Sequence, residues 1–262
     1  MLELRCQQSA LNELSKLAGV QRRSVLITGQ SGSGKTFLAQ EYGRLCNVST
    51  VAIVSPTVKE IRDAIDTTQI TDSPVLLCIE NLDKGVPGAS YTLLKALEEP
   101  RPNVTIVVTV SNIKKVPDTI ISRSSLVTIG SVSQDDIAVY AVGLDKSKFE
   151  SLSALRIWRC VRSFKDVDML FGLDGSKLDY YTNGISDIIS KGTVQDMSWN
   201  LSRYPDNSEC AVEFVIRCIM DMNFQNTYIR KACIDALKAI GAGRISKHAI
   251  LAKLSFELKY GA

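Results

Sequence analysis

The stretch Val25-Leu-Ile-Thr28, followed at once by Gly29-Gln-Ser-Gly-Ser-Gly34-Lys35-Thr36, decides how this chain is read. The first four residues, apolar or β-branched, predict a short strand, and the next eight fit the spacing G-x-x-x-x-G-K-[ST]. Glycines there let backbone N–H groups converge on phosphate oxygens. A lysine at this place meets the terminal phosphates, and a hydroxyl on the next residue joins a Mg²⁺ shell. Gly29, Gly32, Gly34, Lys35 and Thr36 are the expected contacts of a nucleoside triphosphate, with Thr36 also on the metal.

Such a site needs an acidic residue at the end of a second apolar strand. Val75–Ile79, followed by Glu80-Asn81-Leu82-Asp83, supplies it. Glu80 takes the metal-binding place, with one methylene more reach than aspartate. Asn81 takes the place after it. An amide cannot accept a proton, so general-base help from that position is lost.

Working outward, Val51–Ser55, Thr105–Val110 and Leu126–Ile129 are further short apolar runs separated by helical patterns. Continuous rather than alternating runs predict strands buried on both faces, hence a parallel sheet in an α/β domain. Beyond residue 130 the strand signals fade. Ser133 before Gln134, Asp135 and Asp136 reads as a helix start, with Gly172, Gly175 and Gly184 as later breaks. Ile229, Ala232, Cys233, Ala236, Leu237 and Ile240, and then Ile250, Leu251, Leu254 and Leu258, recur at helical spacing and read as core or subunit-contact faces.

Composition excludes several classes. The 262 residues carry 45% apolar and 23% charged side chains, which supports a packed core of two or three domains. A net charge of +3 leaves neither half a basic arm, so any nucleic-acid surface is local. Seven scattered cysteines without a Cys-x-x-Cys pair argue against a disulfide framework or zinc ribbon and for a reducing compartment. The single histidine, His248, leaves no His-based triad. Trp158, Trp199 and the Tyr180-Tyr181 pair read as packing aromatics. No apolar run is long enough to span a membrane, so a cytoplasmic protein is expected.

Asp83-Lys84-Gly-Val-Pro-Gly-Ala89-Ser-Tyr-Thr-Leu93-Leu94-Lys95-Ala-Leu97-Glu98-Glu99-Pro100 closely resembles a stretch of the sliding-clamp loader ATPases of DNA replication. These AAA+ proteins include the bacterial gamma and delta-prime subunits and the small replication factor C subunits. Ser111-Asn112 through Ser122-Arg123-Ser124 is similar to the same family's sensor 1 and Ser-Arg-Cys motif. Val58-Lys59-Glu60-Ile61-Arg62 is similar to its segment between the two nucleotide boxes, where a basic residue faces DNA. The resemblance covers residues 7–130 well and the rest only by helical pattern.

The resemblance implies an AAA+ nucleotide domain over 1–130, a helical lid over 131–185 and a helical collar over 186–262. It implies ATP and Mg²⁺ as ligands, Glu80, Asn81 and Arg123 in the catalytic places, and Ser111 or Asn112 as sensor 1. Arg123 would be the arginine finger serving a neighbouring subunit, Lys165 stands where the lid carries sensor 2, and Lys59 and Arg62 would meet DNA. Alone, Arg123 would read as a surface ion-pair partner, and Lys114-Lys115 reads as a solvated loop pair. The implied partners are sister subunits in a pentamer, a ring-shaped clamp, primer–template DNA and a DNA polymerase, in a bacterium or a virus-infected cell. Ser124 replaces the motif's cysteine, and the zinc-binding insertion of cellular bacterial subunits is missing, which suggests a compact, viral form. Two alternatives stay open: a catalytically weak, delta-prime-like structural subunit, and another AAA+ machine such as a helicase loader or Holliday-junction motor.

Overall fold

A computed structural model describes residues 4–173, 175, 209–222, 225–242, 249–250 and 253–254. The chain forms two compact units, Met1–Asp136 and Ile137–Ala262. In the first, five parallel strands alternate with helices: α1 (Arg5–Gly19), β1 (Ser24–Thr28), α2 (Lys35–Leu45), β2 (Thr50–Val54), α3 (Val58–Thr67), β3 (Val75–Ile79), α4 (Pro87–Glu98), β4 (Val104–Val110), α5 (Asp118–Ile121) and β5 (Ser125–Thr128). Each strand lies within one residue of its expected bounds. The sheet order is β2-β3-β4-β1-β5.

The central strands β1, β3 and β4 are buried on both faces, because successive side chains of their apolar runs point to opposite sides. The edge strands β2 and β5, expected to be buried likewise, leave Val51, Ile53 and Leu126 exposed. Leu26, Leu77, Ile79, Ile106 and Val108 pack with Ile61 of α3 and with Ala89, Leu93 and Leu97 of α4. Val25, Ile27, Leu76, Cys78 and Val107 pack with Ala10 and Leu14 of α1 and with Leu38, Ala39 and Tyr42 of α2. The result is a three-layer α/β/α sandwich, in which each fully buried Leu or Ile stabilises by roughly 1.5–3 kcal/mol. The chain leaves β1 toward one edge and returns to β5 on the other. This makes the β1/β4 boundary the switch point, where open α/β sheets bind ligands at their carboxyl ends.

The helix starts follow from local chemistry. Thr57 caps α3 by accepting from Glu60 N at 3.2 Å, and Pro87 opens α4 at its first position. Ser133 caps α6 (Gln134–Leu144), its hydroxyl accepting from Asp136 N at 3.1 Å while Ser133 N donates to the Asp136 carboxylate at 3.1 Å.

The second unit is helical where described: the body of α6, then α7 (Lys146–Ser153), a 3-10 turn at Arg156–Cys160, α8 (Phe164–Phe171), α9 (Glu209–Met222) and α10 (Thr227–Ala242). Ala232, Cys233, Ala236 and Ile240 of α10 are buried, as the spacing predicts, as are Ile250 and Leu254. Trp158 meets Phe149 edge-on, ring centroids 5.4 Å apart, so it is a packing aromatic. Asp166 is fully buried and accepts a two-pronged bridge from Arg217 at 2.8 and 2.9 Å, together with the amides of Arg162 and Ser163. The Gly184 break, Tyr180, Tyr181, Trp199, His248, Leu251, Leu258 and the 185/186 boundary lie outside the described residues. Among the described residues no helix is long and apolar enough to cross a membrane.

Candidate nucleotide site

The site assembles where the carboxyl ends of β1, β3 and β4 meet. Register sets the neighbours. Thr28 pairs with Val110, and Gly29 N donates to Val110 O at 3.3 Å, which lays the glycine loop beside Ser111. Gly32 and Gly34 hold left-handed backbones, φ 74° and 87°, that side-chain-bearing residues resist. A Cβ on Gly29 would stand 2.9 Å from Ile129 Cβ, so that position accepts only glycine without repacking.

Lys35 opens α2 with its ammonium buried, donating to Gly29 O at 3.0 Å, Gln30 O at 2.9 Å and Ser111 Oγ at 3.1 Å. These three acceptors are neutral oxygens. Thr36 Oγ1 makes a short hydrogen bond to Glu80 Oε1, so the two expected metal-binding side chains are in contact. The Ser33 hydroxyl, fully buried within the loop, has no hydrogen-bond partner among the described residues. Left-handed glycines, a buried lysine, the first-turn amides of α2 and this orphan hydroxyl form a donor set that fits a triphosphate. Among the described residues no three His, Cys, Asp or Glu side chains cluster to hold a metal alone. Mg²⁺ fits here as it fits nucleotide sites generally, through Thr36, Glu80, water and phosphate oxygens.

Asn81, next to Glu80, adopts φ 51° and ψ 47°, and its N–H donates to Thr109 Oγ1 at 3.1 Å. Asparagine tolerates this left-handed backbone better than glutamate does. Asp83 accepts from the amides of Ser111 and Asn112, one on each oxygen, at 3.0 and 3.1 Å. It braces the loop that carries Ser111 and Asn112. Of the two sensor 1 candidates, Ser111 touches Lys35, whereas the Asn112 side chain caps its own turn by accepting from Lys114 N. Burial pushes the Cys78 thiol up to about 12, helped by the Glu80 charge, so the cysteine beside the site is no nucleophile.

Two contributors have no motif. Gln7 of α1, buried, donates to Ser33 O at 2.8 Å and ties the first helix to the glycine loop. Its neighbour Cys6 accepts from Gly130 N at 2.9 Å and donates to the Asp136 carboxylate at 3.3 Å. Burial alone would raise the pKa of Asp136, but the hydrogen bonds from Ser133, Cys6 and Arg5 outweigh it and hold the group below its usual value.

The remaining expected residues lie away from this cluster. Lys59 and Arg62 are exposed on one face of α3, and neither makes an ion pair among the described residues. Arg123, just after α5, donates from Nη2 to Glu98 Oε1 at 2.7 Å and from Nη1 to Thr119 O at 3.0 Å. Lys165 is exposed in the first turn of α8, in the second unit.

Comparison with known proteins agrees with this fold. Residues 44–133, from the end of α2 to the turn after β5, match a family described as DNA polymerase III, delta subunit. The fold is similar to that of a DNA polymerase III gamma subunit-related protein of Thermotoga maritima. That match has 15% identity and a TM-score of 0.58 over 95% of this chain and 98% of that one. It is also similar to the RuvB Holliday junction branch migration motor of the same organism, with 14% identity and a TM-score of 0.51 over 98% and 84%. At such identities the likeness is one of fold. No curated protein sequence matches the chain. The family match thus covers residues 44–133 of the first unit, and across the chain the likeness to these solved structures is one of fold.

Proposed function

We propose that this protein binds ATP and works as a clamp-loader subunit. In an assembly of sister subunits it helps place a ring-shaped sliding clamp on primer–template DNA for a replicative polymerase. The observation that carries the reading is the convergence of Lys35, Thr36, Glu80 and Ser111 at one end of the sheet, the last two within the delta-subunit-like segment. In this reading Lys35 meets the terminal phosphates, Thr36 and Glu80 hold Mg²⁺, and Ser111 reads the terminal phosphate. The metal, when bound, neutralises charge on the phosphate oxygens. Arg123 serves the neighbour's site, Lys165 is the sensor 2 residue of a lid over 131–185, and helices over 186–262 form the collar. The test is ATPase activity of the purified protein with and without primed DNA and the clamp that co-purifies with it. Stimulation by a helicase or a Holliday junction instead would favour another AAA+ machine.

Loss of the lysine charge leaves a loop of neutral donors. Lys35→Ala is expected to abolish stabilisation of the protein by ATP in thermal melts. A mutant still stabilised by ATP would refute the phosphate-loop assignment.

Slow hydrolysis is favoured by one observation, an amide in place of a carboxylate at Asn81. General acid–base help is worth about 10²–10⁴-fold. Asn81→Glu is expected to raise turnover of the assembled complex at least about tenfold, near the low end because the left-handed backbone disfavours glutamate by roughly 1–2 kcal/mol. A flat response, with a brisk wild-type rate that falls in Asp83→Asn, would move water activation to Asp83.

At net charge +3, DNA affinity rests on few residues. Lys59→Ala with Arg62→Ala is expected to reduce the slope of log affinity against log salt by roughly two, about one per phosphate contact. An unchanged slope would return both residues to the solvated surface.

A further inference from the structure

The Glu98–Arg123 bridge is hard to explain as a stabilising contact. Glu98 is the last residue of α4, where the negative end of the helix dipole disfavours a carboxylate. Both side chains are well exposed, at 49% for Glu98 and 35% for Arg123, so solvent screens the pair and its contribution to stability is small. Glu99, one residue on, pairs with nothing among the described residues, so the contact is particular to Glu98.

The bridge does immobilise one guanidinium. The backbone beneath Arg123 is fixed, because Ile120 is fully buried and Arg123 N donates to Ile120 O at 3.2 Å. Above that anchor run three flexible methylenes. Glu98 Oε1 takes one Nη2 proton and Thr119 O takes one Nη1 proton. A guanidinium carries five N–H donors in a rigid planar fork. Two are spent on its own chain, and three remain, the Nε proton and one on each Nη.

We infer that Glu98 is the positioning residue of Arg123: it holds the guanidinium in one orientation on its own subunit while three donors stay available for phosphate oxygens of the adjoining subunit's nucleotide. This rests on the reading of Arg123 as a finger acting in trans. Order set before engagement lowers the entropy lost when the transition state forms, so the effect falls on turnover and not on nucleotide affinity.

The test uses the protein in complex with its co-purifying subunits. Glu98→Ala is expected to lower kcat for ATP about tenfold, or about 1.4 kcal/mol of transition-state stabilisation, with KM and the melting temperature unchanged. Glu98→Gln, whose amide oxygen still accepts from Nη2, is expected to keep more than half of the wild-type kcat. Combined with Arg123→Ala, Glu98→Ala is expected to add nothing. Wild-type turnover in Glu98→Ala beside a defective Arg123→Ala would overturn the positioning role alone, as would additive losses in the double mutant. Wild-type turnover in Arg123→Ala would overturn the finger and, with it, this inference.

Discussion

Arg123→Ala is expected to lower ATP turnover in the assembled complex on the order of 10³-fold, the low end of what a trans-acting arginine supplies to phosphoryl transfer. The loss should appear at the neighbour's site. In a complex where one subunit carries the substitution and its neighbour lacks a working Lys35, the two defects fall on the same site, and the remaining sites keep their activity. ATP binding by the mutated subunit itself should persist, because Lys35, Thr36, Glu80 and Ser111 contact one another without Arg123. Stability should barely change, since the bridge to Glu98 is solvent-screened. A loss confined to the mutant's own site would assign Arg123 to that site instead.

The largest expected effect on stability lies in the second unit. Arg217→Ala removes the two-pronged charge partner of a fully buried Asp166, whose carboxylate also accepts from the amides of Arg162 and, in the capping box, Ser163. Removing one member of a buried pair costs about 3–5 kcal/mol. The guanidinium also donates to Cys160 O at 2.9 Å, so the substitution frees that carbonyl as well. Denaturant unfolding followed through Trp158 should report the loss, and Arg217→Lys should fall between, because an ammonium cannot reproduce the fork. A change below about 1 kcal/mol would mean that water replaces the arginine.

How far these features could be read from the chain depends on the range of the interaction. The five strands were legible because apolar β-branched runs have a local period, and the glycine loop because its backbone conformation demands particular residues at fixed spacing. The start of α6 was legible because Ser133 and Asp136 cap it within one turn. That Asp83 braces Ser111 and Asn112 follows from strand register, which places residues 28 and 29 apart side by side. Gln7 carries no signal at all, since a buried glutamine on an amphipathic helix looks like any other until its carbonyl partner is known. Arg217 and Asp166 are 51 residues apart, and nothing local in the sequence joins them. The left-handed backbone at Asn81 could have been suspected from the residue type, because asparagine adopts that conformation more readily than most.

The strand order has a consequence for synthesis. β1 lies between β4 and β5, so Ser24 finds its partner only at Ile106 and Val25 its second partner only at Ser125. As the chain leaves the ribosome at about 5–20 residues per second, the strand that precedes the glycine loop waits several seconds or longer with both edges open. Contacts this distant in sequence slow folding, because loop closure must precede the reward of pairing. The glycine loop therefore acquires its shape late, after nearly all of the first unit has been made.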